Sequence, residues 1–268
     1  VTESRRIPRV LAIAGSDSGG GAGIQADLKA LAASGVHGMT AITAITAQNT
    51  IEVAAIHSVP PETIIAQIRA VAADIGVDAV KIGMLGTEET IRAVERALDE
   101  LPTGTPVVLD PVMVAESGAE LLEPGARRAL VDVLIPRATV VTPNLPEARL
   151  LTGLEEDAAP GELARAVLAL GPAAVVVTGG HAENATDTFL DDSQMVEIGG
   201  PRMPSGASHG SGCTHSSALA AGLAWGLEPL EAARGAKALA ARAVERGLTD
   251  IGSGAGPVDA LGLAGRLP

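Results

Sequence analysis

Short, wholly apolar runs alternate along the chain with longer stretches whose apolar residues recur at helical spacing. Arg9–Ala14, Met39–Thr46, Asp78–Ile82, Pro106–Leu109, Thr139–Val141 and Ala174–Thr178 read as strands. Helices are predicted at Ala22–Ser34, Pro61–Ile75, Thr87–Leu98, Gly125–Leu134, Glu162–Leu170, from Gly212, and at Pro229–Arg246. In Pro61–Ile75 the residues Ile64, Ile65, Ile68, Val71, Ala72 and Ile75 share one face, and Glu88 and Glu89 favour the first turn of the next helix. Thr186–Leu190 and Gln194–Ile198 read as a hairpin turned at Asp191-Asp192-Ser193. Strands that are apolar throughout, separated by helices, imply a mostly parallel sheet covered on both faces. The expected fold is therefore three-layer α/β/α, with residues 1–268 forming a single domain and ligands gathering beyond the carboxyl ends of the strands.

Composition narrows the function. A net charge of −13 argues against nucleic acid, which requires a basic footprint, and Trp225 and Phe189 are the only aromatic residues available for stacking. No apolar run is long enough to span a bilayer, and Val1–Pro8 lacks the apolar core of a secretory signal. A single cysteine excludes an internal disulfide framework and suits a reducing cytoplasm. In so acidic a chain an anionic substrate must be received by local dipoles.

Six segments carry candidate chemistry. In Gly206-Ala-Ser-His-Gly210-Ser211-Gly212-Cys213-Thr-His215-Ser, a glycine turn enters a helix of small residues with the cysteine at the junction. Unpaired amides and the helix dipole there attract anions and are expected to lower the thiol pKa. Ala14-Gly15-Ser-Asp…Asp27-Leu-Lys joins a strand to a helix through glycines, but it is no Walker A loop and fits G-x-G-x-x-G poorly. Thr46-Ala-Gln48-Asn-Thr reads first as a turn, or else as an amide able to recognise a ligand edge with donor and acceptor. Asp110 ends a buried strand. Thr142-Pro-Asn144-Leu-Pro-Glu147 has the form of a capping box, and alternatively of oxygens that hold the waters of Mg²⁺. Val177-Thr178-Gly179-Gly180-His181 is a turn that a nucleotide can approach closely.

Taken together and in order, these segments, with Lys81-Ile-Gly-Met84-Leu, resemble the hydroxymethylpyrimidine/phosphomethylpyrimidine kinases of thiamine biosynthesis, in the ribokinase-like superfamily. The resemblance runs from Val10 to about Pro257. It implies two ATP-dependent phosphorylations, of a pyrimidine alcohol and then of its monophosphate, with Mg²⁺ as cofactor and a homodimer as the assembly. It implies that Gly15, Asp27, Gln48 and Met84 hold the pyrimidine, and that Asp110, Asn144, Glu147, Thr178 and Gly180 serve ATP. Asn144 and Glu147 would hold Mg²⁺ mostly through water. Gly210, Ser211 and Gly212 would form an anion hole beside Cys213 as base.

The chain departs from this pattern in three places: Glu116 and Thr178 stand where relatives commonly have lysine, and His215 where an aliphatic residue is usual. Two alternatives stay open. A pyridoxal or pyridoxine kinase uses the same scaffold, and the missing lysines also suit a catalytically silent pyrimidine-binding module.

Overall fold

The computed structural model describes residues 6–180, 185–200 and 207–265; His181 and Gly206 of the motifs lie outside them. Strands β1 (Arg9–Asp17), β2 (His37–Gln48), β3 (Val53–Ser58), β4 (Ala79–Ile82), β5 (Val107–Leu109), β6 (Val140–Val141), β7 (Ala174–Val177), β8 (Asp187–Asp191) and β9 (Met195–Ile198) join in one sheet. Their order is β3-β2-β1-β4-β5-β6-β7-β8-β9. Neighbours from β2 to β7 pair in parallel, whereas β3, β8 and β9 add antiparallel edges. The helices are α1 (Gly23–Ala33), α2 (Pro61–Asp74), α3 (Glu88–Leu98), α4 (Ala126–Ala129), α5 (Leu145–Thr152), α6 (Pro160–Leu168), α7 (Ser211–Ala224) and α8 (Pro229–Glu245).

Successive strand residues point to opposite faces, and here both faces are dry. Leu11, Ile13, Ile82, Leu109, Val141 and Val175 pack under α2 through α6, against residues such as Ile64, Ile91, Leu163 and Val167. Their neighbours Val10, Ala79, Val108, Val140 and Val176 pack under α1, α7 and α8, against Leu31, Leu219 and Ala232. Each fully buried Leu or Ile side chain is worth about 2 kcal/mol, so this double-sided burial explains why the central strands carry no polar alternation. Small residues let α7 lie close to α8: a Cβ built on Gly222 would come within 2.9 Å of the Ala232 Cβ.

Three differences from the sequence reading have physical causes. Strand β3 has no counterpart in it, because Val-Ala-Ala-Ile-His-Ser is largely exposed at the sheet edge and shows no clean periodicity. The helix expected over Gly125–Leu134 is α4 followed by a wider turn at Leu130–Leu134 and a tighter one at Ile135–Arg137. Pro136, which lacks an N–H, cannot continue the ladder. Helix α5, expected only as a capping motif, is a full element, with Asn144 and Glu147 closing the box at its start. The hairpin turn is held as its sequence implies: Asp191 Oδ1 accepts from the Ser193 and Gln194 N–H groups, each at 2.8 Å.

Candidate active site

The carboxyl ends of the parallel strands and the start of α7 enclose a cavity of about 280 Å³. Of the residues singled out from sequence, Gly15, Gln48, Met84, Asp110, Asn144, Glu147, Thr178, Gly180, Gly210, Ser211, Gly212 and Cys213 all line it. The strand order divides them. Gly15 and Gln48 lie on β1 and β2, with Met84 just past β4; Asp110, Asn144 and Thr178 follow β5, β6 and β7. Helix α7 packs on β1, β4 and β5, which brings Cys213 over the middle of the sheet.

Asp27 is the exception. It is fully buried behind the cavity wall, where its Oδ1 accepts from Lys81 Nζ and from Ser217 Oγ, both at 2.8 Å. The lysine, itself fully buried, lines the cavity instead. Asp27, expected to hold the pyrimidine, is not among the lining residues and instead holds Lys81, which is. Sequence spacing holds no hint of this, because the two residues are 54 positions apart.

The helix start is built for close approach. Gly210 has φ +84°, and a Cβ there would come within 1.8 Å of the Gly21 carbonyl oxygen, so the anion loop lies directly on the first glycine loop. The first rung of α7 is Thr214 N–H to Gly210 O at 2.9 Å, which leaves the Gly212 and Cys213 amides ahead of the ladder. The Ser211 amide is committed to Ser208 O at 3.0 Å.

The thiol does not behave as its place at a helix start suggests. Cys213 borders the cavity, but protein atoms crowd it on its other sides, and burial pushes its pKa up to about 12. Lys81 pulls the other way; Asp27 and Asp110 add to the rise, and the Gly23 amide gives a smaller opposing pull. Burial and two carboxylates thus outweigh Lys81 and the Gly23 amide, and the resting thiol is neutral. For Lys81 burial disfavours the charge, yet Asp27, Cys213 and Asp110 keep its pKa above the ordinary 10.5. Burial raises the Asp110 pKa against the pull of Lys81, of Ser216, whose hydroxyl donates to Oδ2 at 2.9 Å, and of His215.

Across the sheet, the capping box and the cavity wall are the same residues. Asn144 Oδ1 accepts the Glu147 N–H at 2.8 Å, and Glu147 Oε2 accepts the Asn144 N–H at 3.0 Å. Glu147 is also buried, and burial followed by the nearby Asp110 charge raises its pKa to about 8. Two buried carboxylates that repel one another offer hard oxygen ligands suited to a divalent cation. No group of three or more His, Cys, Asp and Glu residues is placed to hold a metal among the described residues.

Several lining residues have no assigned part in the sequence reading. Asp17 accepts from the Gly19, Gly21 and Ala22 amides at 2.7–3.0 Å and lies 3.0 Å from His209 Nε2, fastening the first glycine loop to the segment before α7. Burial raises the Asp17 pKa, but His209 and the loop amides prevail and hold it below the usual carboxylate range. Asp187 accepts from the Gly179 amide at 3.0 Å and from Lys237 at 2.6 Å. Glu116 accepts from the Ser208 hydroxyl at 2.8 Å across the cavity mouth. Such partners come from distant segments, and only the aspartate within the first glycine motif carries any local signal.

Residues 17–259 match the family model described as phosphomethylpyrimidine kinase. A hydroxymethylpyrimidine/phosphomethylpyrimidine kinase of Rhizobium meliloti is 49% identical over 254 residues, covering 92% of this chain and 95% of that protein. Among solved structures, an ADP complex of Bacillus subtilis pyridoxal kinase superposes with a TM-score of 0.87 at 38% identity, covering 97% of this chain and 99% of the other. A phosphomethylpyrimidine kinase from Clostridium difficile gives 0.75 at 40% identity, over 87% and 97%. With the family model spanning most of its length and its motifs gathered around one cavity, the chain belongs to the phosphomethylpyrimidine kinase family.

Proposed function

We infer that the protein is an ATP-dependent kinase that phosphorylates 4-amino-5-hydroxymethyl-2-methylpyrimidine and then converts the monophosphate to the diphosphate, in thiamine diphosphate biosynthesis. The observation that carries this reading is the divided cavity. Residues suited to a small heterocycle lie over β1, β2 and β4, residues suited to a nucleotide lie past β5, β6 and β7, and the start of α7 stands over the middle.

In this reading Gly15, Gln48 and Met84 hold the pyrimidine, with the Gln48 amide meeting the aminopyrimidine edge. Thr178 and Gly180 receive ATP, and the amides of Gly212 and Cys213 stabilise the transferring phosphoryl group. The hydroxymethyl oxygen bonds to the γ-phosphorus as the bridge to the β-phosphate breaks, ADP leaves, and the hydroxyl proton passes to the Cys213 thiolate. Because the resting thiol is neutral, it must first release its own proton to solvent before, as thiolate, it accepts the hydroxyl proton. Lys81, fixed by Asp27, is the cation that favours ionisation. Mg²⁺, when bound, offsets charge on the β- and γ-phosphates; Asp110 and Glu147, with Asn144 beside them, are the residues to hold it, mostly through water.

The rest of the proposal is a single kinase domain, working in the cytoplasm as a homodimer. A reduced Cys213 suits that compartment. The β2–β3 hairpin leaves Ile45, Ile51 and Ile56 exposed, a surface a second copy can cover. No helix of the described residues is long and apolar enough to cross a membrane.

A pyridoxal kinase is the second reading, favoured by the close superposition on the Bacillus subtilis enzyme. ADP release measured with each alcohol separates the two, alongside calorimetric titration of the pyrimidine. We expect turnover with the pyrimidine alcohol and a product two phosphates heavier by mass spectrometry. Turnover of the pyridine alcohol alone overturns the substrate assignment, and pyrimidine binding without ADP release makes the protein a silent binding module.

A further inference from the structure

Among the described residues, five carboxylates and two lysines line the cavity. Both lysines are already committed: Lys81 Nζ lies 2.8 Å from Asp27 Oδ1, and Lys237 Nζ 2.6 Å from Asp187 Oδ1. Four of the carboxylates are accounted for as well. Asp17 faces His209 and three loop amides, and Asp187 faces His215 as well as Lys237. Asp110 and Glu147 stand together as the pair suited to a divalent cation. Glu116 is different. It is exposed at the cavity mouth, and among the described residues its only partner is a neutral hydroxyl.

That hydroxyl fixes where the charge sits. Ser208 Oγ donates to Glu116 Oε1 at 2.8 Å, and the Ser208 carbonyl accepts the Ser211 amide at 3.0 Å. Ser208 thus ties the Glu116 carboxylate to the first residue of α7, next to the amides that receive the transferring phosphoryl group. A negative charge held there acts on any anion that approaches the helix start. The two acceptors differ in this respect. The pyrimidine alcohol brings no phosphate, whereas its monophosphate carries a charge of about −1.5 to −2 near pH 7. In the second transfer an oxygen of that phosphate bonds to the γ-phosphorus as the bridge to the β-phosphate breaks and ADP leaves. The acceptor therefore carries its charge to the start of α7, where both lining lysines are already paired.

We propose that Glu116 is a specificity-determining residue: its carboxylate, held by Ser208 beside the start of α7, repels the monophosphate and leaves the alcohol unaffected, so that the first transfer outpaces the second. This rests on the kinase reading above. It gives a residue with no part in the bond-breaking step control over which acceptor the cavity favours.

The test is the ratio of kcat/KM for the alcohol to kcat/KM for the monophosphate, measured by ADP release from the whole protein at saturating ATP and Mg²⁺. The ratio should favour the alcohol in the wild type. Glu116→Gln, which keeps an acceptor for Ser208 but loses the charge, should raise kcat/KM for the monophosphate about ten-fold, the order expected for one exposed charge acting on a dianion. Its value for the alcohol should stay within about two-fold of wild type. Ser208→Ala, which removes the tether and keeps the charge, should move the ratio much less. Raising salt from about 0.05 M to about 0.5 M should narrow the ratio more in the wild type than in the Gln variant, because the charge is open to screening. An unchanged ratio in Glu116→Gln overturns the proposal. So does an equal shift in Ser208→Ala, which makes the contact a matter of loop geometry rather than charge. A wild-type protein that turns over neither acceptor would sink the kinase reading itself, an outcome distinct from any difference between variants.

Discussion

Cys213 shows how far a single residue's neighbourhood can override its position. A helix start stabilises a thiolate, and the chain's only cysteine stands at one. The structure adds what no local pattern could show: Asp27 on α1 and Asp110 after β5 bring negative charge near the sulfur, and burial dominates. With a thiol pKa near 12, the thiolate fraction grows about ten-fold per pH unit below that value. If the thiolate is the base, kcat/KM for the pyrimidine alcohol should climb from about pH 7 to about pH 9. Cys213→Ala should lower kcat about 10²- to 10⁴-fold with pyrimidine binding kept. Cys213→Asp, whose carboxylate ionises at lower pH, should retain more activity and flatten the alkaline rise. A flat profile in the wild type together with a near-normal rate in the alanine variant would remove Cys213 as base.

Among elements, one link is wholly hidden from solvent. Asp27 on α1, Lys81 on β4 and Ser217 on α7 meet behind the cavity, riveting one helical layer to the sheet beneath the reacting groups. Removing one partner of a buried ion pair typically costs about 3–5 kcal/mol, because the other charge is left uncompensated. Lys81→Met should therefore lower stability by that order in urea unfolding, and adding Asp27→Leu should restore much of it; a double variant no more stable than the single one would contradict the account. The elements were legible where burial is two-sided or a cap is local. The apolar runs Val10–Ala14 and Ala174–Val177, dry on both faces, mark β1 and β7, although the polar end of β1, Ser16 and Asp17, looks like loop until its pairing with β2 is seen. Asn144 does cap α5, accepting from the Glu147 amide, as its capping box implies. Exposed β3 offered no pattern to read. The candidate site was legible as loops and glycines, but its lysine–carboxylate pairs join residues 50 or more positions apart, as Lys237 joins Asp187, and no local spacing reveals them.

For the molecule as a whole, the β2–β3 hairpin is the least self-sufficient surface. Ile45 pairs with His57 and Thr46 with Ile56, so these two of the hairpin's three exposed isoleucines fall on opposite faces, and a second copy must wrap the hairpin's edge to cover both. Sedimentation velocity should give a dimer, and Ile45→Lys with Ile56→Lys should shift it to monomer with the melting temperature of each chain little changed; a wild-type monomer at micromolar concentration would end the homodimer proposal. The Asp17–His209 contact carries one last consequence, for synthesis. Its partners lie 192 positions apart. At roughly 5–20 residues per second a ribosome needs about 10–40 seconds to travel from one to the other. Through that interval the nascent chain displays a glycine loop with half of its fastening and no start of α7, so phosphoryl transfer begins only when the final third of the polypeptide has emerged and folded back on the first.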